Sequence, residues 1–206
     1  HVLDAGCGSG SFLPLMAELV GLSGRIAALD LAPDNIATVE RRVAGSGMAT
    51  QVEARVGSAL ALPYNDATFD AVWCANTTQY LTDAELATML AEFRRVVRPG
   101  GLVAIKEVDA TVMRFTPAPP FIGAHLYEAR AESGGVQAVG CLRGLTLASW
   151  LRRAGMVETW QRTTLIERNA PLRAVERQFL AMGLPISWRP RYNSISPLRI
   201  ARCGND

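Results

Sequence analysis

A short apolar strand that runs straight into three closely spaced glycines, with an acid-ended strand behind them, constrains this chain more than any other feature. Val2-Leu3 leads to Asp4 and then to Gly6-Cys7-Gly8-Ser9-Gly10. The stretch Phe12-Leu13-Pro14-Leu15-Met16-Ala17, continuing to Leu19, reads as a helix, and Pro14 suits its first turn. Glycines between a strand and a helix let the backbone turn tightly at positive φ and come close to a ligand. The helix start behind them offers free N–H groups and a partial positive charge.

The rest of the first half repeats the alternation. Arg25-Ile26-Ala27-Ala28-Leu29-Asp30 reads as a buried strand, and Asp34 to Val43 as a helix after Pro33. Val52 to Val56 is a third strand, Phe69 to Cys74 a fourth and Leu102 to Ile105 a fifth. A long helix, capped by Asp83, carries Ala84, Leu86, Met89, Leu90 and Phe93 at helical spacing and stops at Arg98-Pro99-Gly100-Gly101. Strands alternating with helices predict βαβ units: an α/β, doubly wound, mostly parallel sheet with helices on both faces. Beyond residue 110 the pattern loosens. Helices are expected at Phe121–Glu132, Leu147–Ala154 and Leu172–Met182, and a strand at Met156–Ile166. The 206 residues predict a single domain, with 1–110 as a cofactor-binding half and 111–206 as the other half. Because His1-Val2-Leu3 already reads as the inside of a strand, an upstream segment is expected to be missing.

Composition narrows the class. No window holds the 18 or more apolar residues of a membrane span, and no basic stretch followed by an apolar run opens the chain, so a cytoplasmic protein without a signal peptide is expected. Cys7, Cys74, Cys141 and Cys203 form no C-x-x-C pair, and only two histidines accompany them, so neither a metal site nor a disulfide framework is expected. Residues 1–110 carry 8 basic and 13 acidic residues, and residues 111–206 carry 13 and 6. Nearly all the basic residues are Arg, a compositional habit that explains the excess without a nucleic-acid partner.

The glycine loop and Asp30 together describe a nucleoside-containing cofactor site. A carboxylate ending the second strand can accept both hydroxyl hydrogens of a ribose. Asp4, two residues before the first glycine, would repel a pyrophosphate, and Ser11 stands where a dinucleotide fingerprint has its last glycine. An acid at that place suits a cofactor bearing an ammonium and a sulfonium, and S-adenosyl-L-methionine has both. Mere turn glycines, or Asp30 as a helix cap, are the plainer readings; Asp34 is better placed as the cap.

Three segments resemble the motifs of class I methyltransferases. Val2-Leu3-Asp4-Ala5-Gly6-Cys7-Gly8-Ser9-Gly10 looks like the family's first motif. Leu62-Pro63-Tyr64-Asn65-Asp66-Ala67-Thr68-Phe69-Asp70-Ala71-Val72 resembles its LPF-x-D-x-S-F-D-x-V segment, and Arg94-Arg95-Val96-Val97-Arg98-Pro99-Gly100-Gly101 its R-V-L-K-P-G-G turn. The match is similar to the small-molecule branch that includes ubiquinone and menaquinone methyltransferases. The resemblance implies that Gly6, Cys7, Gly8 and Gly10 line the methionine part of S-adenosyl-L-methionine and that Asp4 stands near its ammonium. It implies further that Asp30 holds the ribose and Leu31 packs on the adenine. Ser58-Ala59 stands where the family has an acid and a small residue near the adenine amine, so Ser58 is a departure. Asn76 and Gln79 follow strand four at the methyl-donor end, and Thr78-Gln79-Tyr80-Leu81 replaces the family's L-H-H-L.

Methyl transfer is an in-line displacement in which the protein aligns donor and acceptor and excludes water. A general base is needed only for a weakly acidic nucleophile, and Glu107, Asp109, Tyr80 and His125 are the candidates. His125, in a helical apolar stretch, also reads as an ordinary packed or surface histidine. The expected partner is a small, apolar methyl acceptor, because the segment from Pro117 to Leu145 and its surroundings carry Phe115, Phe121, Ile122, Leu126 and Tyr127. The alternatives are a nicotinamide-dependent oxidoreductase, which Asp4 and Ser11 disfavour, and a non-catalytic scaffold that keeps the cofactor site. Methylation of nucleic acid or protein is a further alternative, disfavoured by the missing N/D-P-P-Y/F run.

Overall fold

A computed structural model describes residues 1–116 and 118–178. The chain divides into two compact units, residues 1–163 and 164–206. The first contains five parallel strands: β1 (Val2–Ala5), β2 (Ile26–Asp30), β3 (Val52–Val56), β4 (Phe69–Ala75) and β5 (Val97–Lys106). Their order across the sheet is β3-β2-β1-β4-β5, every neighbouring pair parallel. This is the doubly wound α/β fold expected from the alternation. The chain winds outward from β1 to β3 on one side and then from β4 to β5 on the other. The crossovers therefore part at β1, and a crevice opens at its carboxyl end, where open sheets of this kind bind ligands.

Strands buried on both faces read as continuous apolar runs. In β1 Leu3, Asp4 and Ala5 are buried, and in β2 Ile26 to Leu29 are. On one face Leu13 and Met16 of α1 (Leu13–Val20) and Ile36, Val39 and Val43 of α2 (Pro33–Ala44) pack with Ile26 and Ala28. On the other face Leu86, Met89, Leu90, Phe93 and Val96 of α3 (Asp83–Val96) pack with Leu3, Ala27, Leu29, Phe69 and Val72. A fully buried Phe or Leu side chain is worth about 1.5–3 kcal/mol, so these two clusters carry most of the fold.

The cap of α3 corrects one expectation. Thr82, not Asp83, is the N-cap: its hydroxyl accepts from the Glu85 N–H while the Glu85 carboxylate accepts from the Thr82 N–H, a complete capping box. Asp83 is the first helical residue and pairs with Arg143 instead. In the last turn of α3, Arg95 fastens the turn-rich 62–66 segment. Its guanidinium donates to the carbonyls of Leu62 and Tyr64 and pairs with Glu92 and Asp66.

After β5 come α4 (Ile122–Glu132), α5 (Val136–Leu142) and α6 (Leu147–Arg153). Helix α5 was not expected, because Gly140 sits inside it and only seven residues form it. The strand expected over Met156–Ile166 is not formed, and Val157, Trp160, Leu165 and Ile166 stand exposed. Alternating residues signal a one-sided surface, but a strand exists only where a neighbour takes its N–H and C=O groups. In the second unit, residues 174–178 are helical and Arg168 and Arg173 both pair with Glu176. Residues 172–173 of the helix expected at 172–182 are not helical, and 179–182 lie outside the described residues, as do Pro117, the prolines at 185, 190 and 197, and Cys203. No helix among the described residues is long and apolar enough to cross a membrane.

Candidate functional site

The carboxyl ends of β1, β2, β4 and β5 bring together most of the residues singled out in the sequence. The loop after β1 holds Gly6, Gly8 and Gly10 at φ of 76°, 52° and 74°, a region that L side chains enter only at a cost. The three differ in what surrounds them. A Cβ on Gly6 would overlap the Thr77 side chain in the turn after β4, and one on Gly10 would lie 2.7 Å from Leu13. A Cβ on Gly8 would meet no atom within 4 Å. Gly6 and Gly10 are therefore required by packing, whereas Gly8 faces open space above the sheet edge.

Asp30 anchors this loop. Its Oδ2 accepts from the Gly8 N–H at 2.8 Å, and its Oδ1 accepts from the Ala32 N–H and from Asn35 Nδ2. The plainer reading of Asp30 as a cap is thus partly met, for it steadies the start of α2. Its half-buried carboxylate still borders the crevice, with lone pairs remaining for a ribose. Leu31, beside it, is 73 % exposed. Arg42 donates to the Gly10 carbonyl at 2.9 Å and closes the loop from the α2 side.

Asp4 is the most unusual charge in the fold. It lies on β1 between Ala28 of β2 and Trp73 of β4, and 1 % of it is exposed. Its Oδ2 is buried with no hydrogen-bond partner. Burial, and then the neighbouring Asp30 charge, raise its carboxyl to about 7. A buried carboxyl oxygen without a partner is costly and is kept where something else completes it. An ammonium is the group whose charge and donors match, so the residues present fit S-adenosyl-L-methionine. Cys7 makes no nucleophile: burial first, with Asp4 and Asp30 added, pushes its thiol up to about 12.

The 57–61 segment flanks the crevice beyond β3. Gly57 donates to the Asp30 carbonyl, Ser58 Oγ accepts from the Leu60 N–H, and Ala59 packs on the core. The Ser58 hydroxyl is thus engaged within its own turn.

The turn after β4 holds Asn76 and Gln79. Asn76, at φ 55°, accepts from Lys106 Nζ at 2.6 Å. Gln79, in a short 3-10 turn (Thr78–Tyr80), is buried. Glu107 points into this turn. Its Oε2 accepts from Thr78 Oγ1 at 2.7 Å and the Gln79 N–H at 3.2 Å, and its Oε1 from Gln79 Nε2 at 3.2 Å and the Val108 N–H at 3.1 Å. The other catalytic candidates are dispersed. Asp109 Oδ1 accepts from the N–H and hydroxyl of Thr111 in a short turn, while its Oδ2 is buried without a partner. Tyr80 is 59 % exposed, and burial of its phenol with Cys141 and Glu107 nearby holds its pKa above the usual range. His125 is exposed on α4, tilted against Phe121.

Sequence reasoning missed Thr77 against Gly6, Asn35 on Asp30, and Gln137 and Cys141, which both donate to Gln79 Oε1. It also missed Arg143, a buried cation that donates to the Thr78 and Leu81 carbonyls. Apart from Asn35, five residues from Asp30, none carries a local signal, since each partner lies far along the chain. The one clue for Thr77 is Gly6, which implies a close neighbour without naming it.

Comparison with known proteins agrees with this geometry. The family described as "Methyltransferase domain" matches residues 2–101. A demethylmenaquinone methyltransferase of Bacillus subtilis is 34% identical over 134 residues, covering 59% of this chain and 54% of the relative. A ubiquinone biosynthesis O-methyltransferase of Methylocella silvestris is 36% identical over 116 residues, covering 56% and 42%. Among solved structures, a SAM-dependent methyltransferase from Aquifex aeolicus is similar with a TM-score of 0.51 and 25% identity, over 66% of this chain and 70% of that one. The chain spans about half the length of the curated relatives it matches.

Proposed function

We propose that this chain, whose residues 2–101 match the family described as "Methyltransferase domain", is a class I methyltransferase, an enzyme transferring the methyl group of S-adenosyl-L-methionine to a small molecule. The observation that carries the reading is Asp4: a buried carboxyl oxygen without a partner, beside a glycine loop tied to Asp30. When bound, the cofactor supplies a methyl group activated by a positive sulfur. Asp4 would take its ammonium, Asp30 its ribose and Leu31 the face of its adenine. The open space at Gly8 leaves room for close approach of the loop backbone. The turn Asn76–Tyr80 borders the methyl end, and residues 111–163 would supply the acceptor side.

The acceptor is proposed to be apolar and aromatic, of the quinol-precursor kind. Two observations support this: the names of the similar curated relatives, and exposed Phe121 and Tyr80 on elements that follow β4 and β5. Glu107 is not placed as a base, because its acceptor positions toward the turn are taken; Asp109 Oδ1 is engaged locally, and its buried Oδ2 alone has no partner. A catechol or hydroquinone hydroxyl is protonated at neutral pH, as a tyrosine phenol is, so its methylation must pass a proton to solvent or to a group on the acceptor side. The buried free thiols of Cys7, Cys74 and Cys141 support a reducing, cytoplasmic setting. The test is methyl transfer from methyl-labelled S-adenosyl-L-methionine to a panel of catechols, hydroquinones, amines and carboxylic acids. Labelled phenolic product supports the proposal; label only in amines or carboxylates contradicts the acceptor class, and label in none contradicts the enzymatic reading.

A further inference from the structure

The best-built polar cluster outside the glycine loop is centred on Glu107, and catalysis as a base does not explain it. Four donors converge on its two oxygens, three of them from Thr78 and Gln79. A base must keep a lone pair directed at the substrate's proton; this carboxylate directs its lone pairs into the protein. Thr78 is fully buried and Gln79 nearly so.

The cluster reaches in two directions. Gln79 Nε2 also donates to the Asn76 carbonyl, which fixes the turn that starts there. Thr77 lies in that turn, its side chain filling the space a Cβ on Gly6 would need. Toward the later part of the chain, Gln79 Oε1 accepts from Gln137 and Cys141 of α5, and Gly140 of α5 comes so close to the Gln79 backbone that no side chain would fit. Arg143, just after α5, donates to the Thr78 and Leu81 carbonyls. The turn after β4 is thus held by the residue after β5 on one side and by α5 on the other.

We propose that Glu107 is a positioning residue: acting through Thr78 and Gln79, it holds Thr77 against Gly6 and so fixes the glycine loop in its ligand-binding shape. The proposal deepens the cofactor reading and rests on it for its ligand arm. Gln79 is the shared element, joining the turn after β4 to α5 through one side-chain amide.

The test uses the full chain and two readouts. The first is calorimetric titration with S-adenosylhomocysteine. Glu107→Gln keeps the shape but sets an amide donor against Gln79 Nε2, and affinity is expected to fall at least about tenfold. Thr78→Val removes one donor at a site of fixed volume, and a fall of roughly threefold is expected. Glu107→Gln combined with Gln79→Glu restores a donor–acceptor pair and is expected to recover part of the loss, which a general loss of packing would not do. The second readout is amide hydrogen exchange without ligand. Glu107→Gln is expected to speed exchange of residues 76–80 and 5–10 together, with the α1 and α2 amides unchanged. Affinity within about twofold of wild type in Glu107→Gln overturns the proposal. If the wild type itself does not bind S-adenosylhomocysteine, the cofactor reading fails separately, and the exchange readout alone decides: unchanged exchange at residues 5–10 overturns the positioning role.

Discussion

The amide of Gly8 donates to the Asp30 carboxylate at 2.8 Å, so the glycine loop after β1 and the end of β2 form one unit. The same carboxylate holds Ala32 and Asn35 at the start of α2. Removing it has two consequences that can be separated.

Asp30→Ala is predicted to weaken S-adenosylhomocysteine by roughly 30-fold or more, because both the loop anchor and the ribose acceptor are lost. Asp30→Asn keeps the Oδ1 contacts at the start of α2 but sets an amide donor against the Gly8 N–H, so it too loses the loop anchor and is predicted to weaken binding at least about tenfold. Titration of the three proteins checks this; an Asp30→Asn variant within about twofold of wild type would contradict the anchoring role.

Gly6 and Gly8 are predicted to fail differently when changed to Ala. At Gly6 the new Cβ meets Thr77 at a strained φ, and unfolding free energy should fall by about 2 kcal/mol or more. At Gly8 there is open space, so only the φ cost of about 1 kcal/mol applies, yet the methyl group stands where the ligand must approach. Urea unfolding and ligand titration on both variants distinguish them. Equal affinity of Gly8→Ala and wild type would place the ligand elsewhere.

Asp4 predicts opposite pH trends for stability and binding. Its folded-state value is raised from 3.8 to about 7, so the folded protein keeps a proton that the unfolded chain has released. Its contribution to stability is therefore fully present below the unfolded value, falls as pH rises through about 7 and is flat above it. A ligand ammonium needs the ionised form, so affinity should rise over the upper part of the same window. Denaturation and titration between about pH 5 and about pH 8 test both, and Asp4→Asn should flatten both slopes. Affinity for S-adenosylhomocysteine that is independent of pH in the wild type would show that Asp4 does not face the ammonium.

Arg95 is predicted to matter for stability alone. It joins the Leu62 and Tyr64 carbonyls, Glu92 and Asp66, and its own bonds reach no residue of the glycine loop. Arg95→Met leaves those acceptors partly unsatisfied, at a cost of about 2 kcal/mol. That lowers Tm by roughly 4–8 °C for a domain of this size. Binding should stay within about twofold; a larger loss would mean that the 62–66 segment reaches the site.

The first half of the fold was legible because its signals are local. Apolar runs marked Ile26–Asp30 and Val52–Val56, and the glycines with Asp30 were enough to locate the crevice. Beyond residue 110 the signals mislead for physical reasons. The alternation of 156–166 described a surface without supplying a strand to pair with, and Gly140 hid α5 because its lack of a side chain serves the contact with Gln79. The capping box at Thr82 was readable from Thr82 and Glu85 together, but Asp83 alone drew attention. Glu107 was visible as an acid at the functional edge; that its lone pairs face inward depends on Thr78 and Gln79, nearly thirty residues earlier, which no local pattern shows.

The central claim is that the crevice at the carboxyl end of β1 takes a cationic methyl donor and not a dinucleotide. Parallel calorimetric titration of the full chain with S-adenosylhomocysteine and with NADH tests it most directly. The account predicts binding of S-adenosylhomocysteine in the micromolar range, weakened by Asp30→Ala, and no heat from NADH. Binding of NADH alone would contradict it, because a pyrophosphate would then be tolerated beside Asp4.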